Sequence, residues 1–180
     1  DFADNTLVPN ETFKDFGKWK ELIAQYPNLS FEAHLMVGDP EKYIKPLADA
    51  GFKRIIAHIE ANDPRKFLAQ AKYEHVEVGV AIDGPTELEQ VEPYLDEVDC
   101  VLVMTIEAGF SGQSFMPETM EKVKAIHEGF PDLPIEIDGG VNDQTAKVAR
   151  EAGATRLVST SFLFKTPDAI GESIERLKNA

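Results

Sequence analysis

The sequence predicts an α/β protein built as a (β/α)8 TIM barrel, and three observations carry that prediction. Short runs rich in Val, Ile and Leu recur along the chain without strict alternation, as strands buried on both faces require. Helical stretches with capping signals separate them at about the spacing of βα units. Most of these runs end in polar residues or glycine, and no GxGxxG follows an early strand. A site assembled from many strand ends therefore fits better than a doubly wound nucleotide fold.

Taken in order, the opening segment 1–10 (DFADNTLVPN) reads as the tail of a strand running into a loop. Six strand-like runs follow: 29–37 (LSFEAHLMV), 54–61 (RIIAHIEA), 76–82 (VEVGVAI), 99–106 (DCVLVMTI), 134–141 (PIEIDGGV) and 156–161 (RLVSTS). Asp39-Pro40 opens a helix that Gly51 closes, and Asn142-Asp143 opens one that Gly153 closes. Thr86 before ELEQVEPYL predicts a helix, and Pro167 fits the first turn of the last one. No linker or low-complexity run interrupts the chain, so residues 1–180 are expected to form a single barrel domain. With the opening stub, the strand count predicts an N-terminally incomplete barrel that lacks its first βα unit in this chain.

Composition narrows the function classes. A net charge of −14, from 18 Lys+Arg against 32 Asp+Glu, argues against nucleic acid, whose backbone demands a basic patch. No apolar run approaches the roughly 20 residues of a membrane helix. The single cysteine, Cys100, lies in an apolar run as a buried thiol and fits a reducing compartment such as the cytoplasm. The expected partner is a small molecule, with no nucleic acid and no membrane, and a homo-oligomer is left open.

The strand ends carry the chemistry. Asp138 stands where a strand stops and two glycines, Gly139 and Gly140, begin, so a carboxylate and bare backbone N–H groups meet at one tip. Alternation places His34 and Met36 on one face of their strand, Leu102 and Met104 on one face of theirs, and Asp1 with Ala3. If Asp1, His34 and Asp138 all face the interior at the mouth, they form an imidazole–carboxylate set suited to a divalent cation. Taken singly, His34 also reads as a satisfied strand histidine and Asp138 as a turn former. The loop 107–115 (EAGFSGQSF) reads either as an ordinary connection or as a substrate clamp made of backbone amides and Gln113. Ser159, Thr160 and Ser161 close the last strand, where N–H and hydroxyl groups beside Gly139 and Gly140 suit a phosphate. His58 alternates with Glu60, which leaves an interior-lining and a structural role equally open; His75 and His127 sit in polar helix-terminal contexts.

Together these motifs resemble the ribulose-phosphate 3-epimerase family. LVPNETF, EAHLMV, AGFKRIIAHIEA, VLVMTIEAGFSGQSFMPETMEKV and IEIDGGVNDQTA fall in that family's order and spacing from Asp1 to the last helix. The resemblance implies a barrel of the ribulose-phosphate-binding type that interconverts D-ribulose 5-phosphate and D-xylulose 5-phosphate with a divalent metal cation (Zn, Fe, Mn or Co). It implies Asp1 and Asp138 as the catalytic acid/base pair, and Asp1, His34 and Asp138 as metal ligands, with a fourth ligand, a histidine, two residues ahead of Asp1. Met36 and Met104 would cover the reacting carbons. His34, Gly109, Phe110, Ser111, Gly112, Gln113, Gly139, Gly140, Thr160 and Ser161 complete the expected substrate-binding set.

The chain departs from the family pattern at several positions. Ala3 stands where methionine is usual, Asn5 and Ser111 where glycine is, and Ala108 where proline is. Asp83-Gly84 replaces an Asn-Pro-like pair, and Thr160 replaces the glycine of a Gly-Ser phosphate pair. Two alternatives accompany the reading: a 3-epimerase acting on a six-carbon ketose phosphate such as allulose 6-phosphate, and a non-catalytic barrel that binds a sugar phosphate.

Overall fold

The computed structural model describes residues 1–110 and 112–180. Two compact units emerge, one formed by Asp1–Ala81 with Glu89–Asp99 and the other by Ile82–Leu88 with Cys100–Ala180.

In the first unit, β1 (Phe2–Ala3), β2 (Glu32–Met36), β3 (Arg54–His58) and β4 (Glu77–Ile82) pair in parallel, each with its neighbour in sequence. Helices α1 (Phe16–Gln25), α2 (Glu41–Ala50) and α3 (Pro64–Tyr73) connect them. Their boundaries have local causes. Asp15 and Asp63 cap α1 and α3 by accepting from the N–H groups of Lys18 and Lys66, and Gly51 ends α2 at φ +104. The β2–β3–β4 register aligns Glu32, Arg54 and Glu77 at the strand starts, where the Arg54 guanidinium bonds both carboxylates. Leu35, Ile55, Ile56, Phe67 and Leu68 form the core. Burying a side chain of that size contributes about 1.5–3 kcal/mol. Beside it, the Phe2 ring packs against Phe16, Trp19 and Phe52 at centroid separations of 5.7–6.1 Å.

The second unit carries β5 (Cys100–Met104), β6 (Ile135–Asp138) and β7 (Arg156–Val158), again parallel and sequential. Its helices are α4 (Met120–Gly129), α5 (Asp143–Ala152), a short α6 (Ser161–Phe164) and α7 (Ile170–Lys178). The Asn142 side chain accepts from the N–H groups of Gln144 and Thr145, while the Thr145 hydroxyl accepts from the Asn142 N–H, which closes a capping box on α5. Gly153 ends that helix at φ +112.

All seven expected strands are present, and all but β4 end earlier than the apolar run suggested. The surplus residues turn into loops at the carboxyl ends of the strands, where glycines and hydroxyl side chains stop the ladder. One expectation fails. The segment after Thr86 forms two 3₁₀ turns, Leu88–Gln90 and Glu92–Glu97, rather than an α-helix. Pro93 has no N–H to donate and its ring would clash with the carbonyl of Glu89, so the α-helical ladder cannot run through it. Among the described residues, no helix is long and apolar enough to cross a membrane.

Candidate active site

In the first unit, polar residues on and beside β1, β2 and β3 form one connected chain of side chains. Asp1 immediately precedes β1, which pairs with β2 through Phe2–Leu35 and Ala3–Met36. This pairing sets the Asp1 carboxylate 3.4 Å from His34 Nδ1. The imidazole is buried, whereas the Asp1 side chain remains 56% exposed. On its other side, His34 Nε2 lies 2.9 Å from His58 Nε2, with the two rings stacked at 5.0 Å. His58, 1% exposed, completes the chain with Nδ1 3.0 Å from Glu60 Oε2. Met36 is also buried, two residues beyond His34 on β2.

Asn5 sits nearby at φ +64, in the left-handed region. That backbone explains a family glycine at this position, and asparagine is among the few other residues that tolerate it. The loop after β1 folds back on itself, with Asn5 N–H donating to Asn10 C=O and Ala3 N–H to the Thr12 hydroxyl. Asp4 beside it accepts from the Tyr43 hydroxyl at 2.7 Å.

In the second unit, Asp138 ends β6 and is the register partner of Met104 on β5, which is buried. The turn that follows is tied down by Thr105. Its N–H donates to Asp138 C=O, and its hydroxyl lies within hydrogen-bond reach of the C=O groups of both Asp138 and Gly139. Thr105 is fully buried and was not singled out by sequence, since its role depends on which strand lies next to β5. Gly139 and Gly140 both adopt positive φ, +118 and +63.

A cavity of about 520 Å³ opens in this unit, lined by Gly112, Gln113, Ser114, Phe115, Gly140, Val141, Asn142, Ser161, Phe162 and Lys165. Four of the expected substrate-binding residues, Gly112, Gln113, Gly140 and Ser161, thus share one cavity. Gly109, Phe110, Gly139 and Thr160 are not among its lining residues, and Ser111 lies outside the described residues. Gln113 uses its side-chain amide within its own loop, donating to the C=O groups of Glu107 and Phe110. Lys165 brings a cation to a rim where only amides and hydroxyls were expected. Its N–H bonds back to Ser161 C=O, one helical turn earlier, and this brings residue 165 round to the cavity. Two of the departures noted above prove to be coupled. The Ala108 N–H, which proline would lack, donates to the Asp83 carboxylate at 2.8 Å.

With this geometry in view, residues 1–164 match the model of the ribulose-phosphate 3 epimerase family. The chain belongs to that family. Relatives agree along its whole length. The Schizosaccharomyces pombe ribulose-phosphate 3-epimerase is 39% identical, covering 100% of this chain and 79% of its own. The cytoplasmic isoform of Oryza sativa subsp. japonica is 36% identical, covering 100% and 80%, and the Bacillus subtilis enzyme is 34% identical, covering 93% and 79%. Ribulose-phosphate 3-epimerases are isomerases of the racemase and epimerase class, and that is the enzyme class of this chain.

Among solved structures, 3-hexulose-6-phosphate synthase aligns with a TM-score of 0.73 over 92% of this chain and 80% of that one, at 15% identity. KGPDC from Streptococcus mutans aligns at 0.71 over 89% and 78%, also at 15% identity. These likenesses show the fold, a (β/α) TIM barrel.

Proposed function

We propose that the chain epimerises C3 of a ketopentose phosphate, converting D-ribulose 5-phosphate to D-xylulose 5-phosphate. Asp1 and Asp138 serve as the acid/base pair, and Asp1, His34 and Asp138 hold a divalent cation, Zn, Fe, Mn or Co. The observation that carries this reading is the Asp1–His34 pair, a carboxylate just ahead of β1 and a buried imidazole nitrogen on the adjacent strand β2, 3.4 Å apart. Two ligand atoms each about 2.1 Å from a tetrahedral cation stand about 3.4 Å apart, so this spacing suits two neighbours on one ion. Asp1, His34 and Asp138 each offer one nitrogen or carboxylate oxygen, a donor set that fits such a cation.

The chemistry requires these groups. The C3 proton lies next to the C2 ketone and is far less acidic than a carboxylic acid, so removing it demands stabilisation of the charge left behind. When bound, the cation supplies that positive charge as a Lewis acid beside the substrate oxygens. Epimerisation takes the proton from one face of C3 and returns one to the other, which two carboxylates achieve, one as base and one as acid. Met36 and Met104 offer apolar thioether surface with no exchangeable proton to compete. The cavity lined by Gly140, Ser161 and Lys165 suits the phosphate, where backbone N–H groups and one ammonium offset its charge in an acidic protein.

The test is exchange of the substrate's C3 hydrogen with solvent deuterium, followed by NMR on the protein loaded with Mn²⁺, Co²⁺ or Zn²⁺. Exchange by the wild type and its loss in Asp138→Asn, with the fold intact by circular dichroism, is the expected result. Undiminished exchange in that variant removes Asp138 from the mechanism.

A further inference from the structure

Lys122 has no part in the proposed mechanism, and its place in the fold is unexpected. It lies in the first turn of α4, the end of a helix where the backbone dipole disfavours a cation. Carbonyl oxygens of the 83–86 turn, just past β4, receive its ammonium group. Lys122 Nζ donates to Gly84 C=O at 2.6 Å, to Asp83 C=O at 3.2 Å and to Thr86 C=O. The turn itself is closed by Thr86 N–H donating to Asp83 C=O.

From that turn a path of bonds leads to the cavity. The Asp83 carboxylate accepts from the N–H groups of Gly84 and Ala108, each at 2.8 Å. Ala108 stands at the base of the 107–115 loop, and Gly112, Gln113, Ser114 and Phe115 of the same loop line the cavity. Gln113 ties that wall back to the base by donating to Glu107 C=O, next to Ala108, at 2.7 Å. Packing follows the same route. A Cβ on Gly84 would stand 2.7 Å from Ile106 C=O and 2.9 Å from Met116 Sδ, so the turn is seated against both stems of the loop. A Cβ on Gly140 would stand 2.9 Å from Phe115 N, so the end of the loop lies backbone to backbone on the turn after β6.

We propose that Lys122 and Asp83 are positioning residues that hold the 107–115 loop in the shape that receives the phosphate group. Neither is among the residues that line the cavity. Lys122 fixes the turn, and Asp83 passes that constraint to the loop through the Ala108 N–H. The proposal rests on the cavity being the phosphate seat, as argued above, and adds what sets the form of its loop wall. Ordering a loop on binding costs affinity, and a loop ordered beforehand avoids that cost. The bonds on this path suit the task because an ion takes part at each joint, the ammonium on carbonyls and the carboxylate on N–H groups. Lysine also suits it: a compact ammonium whose donors radiate in three directions matches oxygens converging on one point, whereas the guanidinium fork is planar.

Inorganic phosphate is the probe, its binding read by isothermal titration calorimetry and the exchange of the Ala108 amide by NMR. Lys122→Met keeps the length of the stem and loses the donors, while Asp83→Asn keeps an oxygen that accepts from Ala108 and Asp83→Ala does not. Phosphate affinity is expected to fall about 10-fold in Lys122→Met and Asp83→Ala and to stay within about threefold of wild type in Asp83→Asn. The Ala108 amide should exchange about 10-fold faster in the first two, with the amides of β5 and β6 unchanged. With ribulose 5-phosphate and the metal-loaded protein, KM should rise by a similar factor while kcat stays within about twofold. A folded Lys122→Met that binds phosphate as tightly as the wild type, or whose Ala108 amide exchanges no faster, overturns the proposal. A wild type that does not bind phosphate, or whose affinity Lys165→Ala leaves unmoved, refutes the phosphate seat and with it the ligand half of the proposal. The Ala108 exchange rates still decide in that case whether Lys122 holds the loop. If Lys122→Met does not fold, Asp83→Ala against Asp83→Asn carries the same comparison.

Discussion

Replacing Gly139 with alanine isolates what the turn after Asp138 demands of the chain. Two costs follow from the structure. Gly139 has φ +118, a conformation that L-residues rarely adopt, and forcing a side chain there costs about 1–3 kcal/mol. The added Cβ would also stand 2.5 Å from Ile106 Cγ1, 2.8 Å from its Cγ2 and 3.0 Å from its Cβ. Because the Ile106 Cβ itself is in the way, a change of rotamer does not relieve the clash. Ile106 is buried, so overpacking adds about 1–3 kcal/mol. The sum is about 4 kcal/mol, a large part of the roughly 5–15 kcal/mol that holds a domain folded. With a urea m-value of about 2 kcal/mol/M, the midpoint of unfolding followed by circular dichroism should drop by about 2 M. Gly112→Ala is the control. Its φ is +88, yet nothing lies within 4 Å of the added Cβ, so only the backbone cost remains, about 1 kcal/mol. A Gly139→Ala midpoint no lower than that of Gly112→Ala would refute the reasoning.

Two further outcomes are expected. Thr105→Val keeps the shape of a fully buried side chain but deletes the hydroxyl that reaches the C=O groups of Asp138 and Gly139. It should lower stability by about 1–2 kcal/mol in urea and slow C3 exchange; full activity with unchanged stability would show that the turn does not need this tie. Burial and the Asp4 hydrogen bond push the pKa of the Tyr43 hydroxyl up to about 12. Because the folded value lies above the ordinary value of 10.0, its contribution is present below pH 10 and is lost as pH rises toward 12. Absorbance titration should find it ionising late, and Tyr43→Phe should flatten the stability loss over that interval. The Asp4 carboxyl, pushed up by burial but held lower overall by bonds from Thr6 and Tyr43, should titrate at higher pH in that variant. An unchanged Asp4 titration would contradict the pairing.

What the sequence made legible, and what it hid, follows from the range of the interactions. The strands were readable because β-branched runs reflect burial on both faces, a local property. Helix ends at Gly51 and Gly153 and the Asn142 cap were readable because capping is settled within a few residues. The segment around Pro93 was misread because a favourable helix start at Thr86 was weighed above a proline that blocks the ladder. Alternation placed His58 and Glu60 on one side of a strand but could not show that His58 meets His34. That contact depends on the β2–β3 register, between residues 24 apart in sequence. The exchange of Asp83 and Ala108 for the usual residues read as two separate departures, and the hydrogen bond between them makes it one adjustment. Lys165 escaped notice because α6 had not been foreseen.

The most direct measurement of the central claim is anomalous scattering from crystals of the protein grown with Zn²⁺ or Co²⁺. The account predicts one strong peak with His34 Nδ1 and carboxylate oxygens of Asp1 and Asp138 each about 2.0–2.2 Å away. A peak bound through His34 Nε2, or one that Asp1 and Asp138 do not touch, would contradict it.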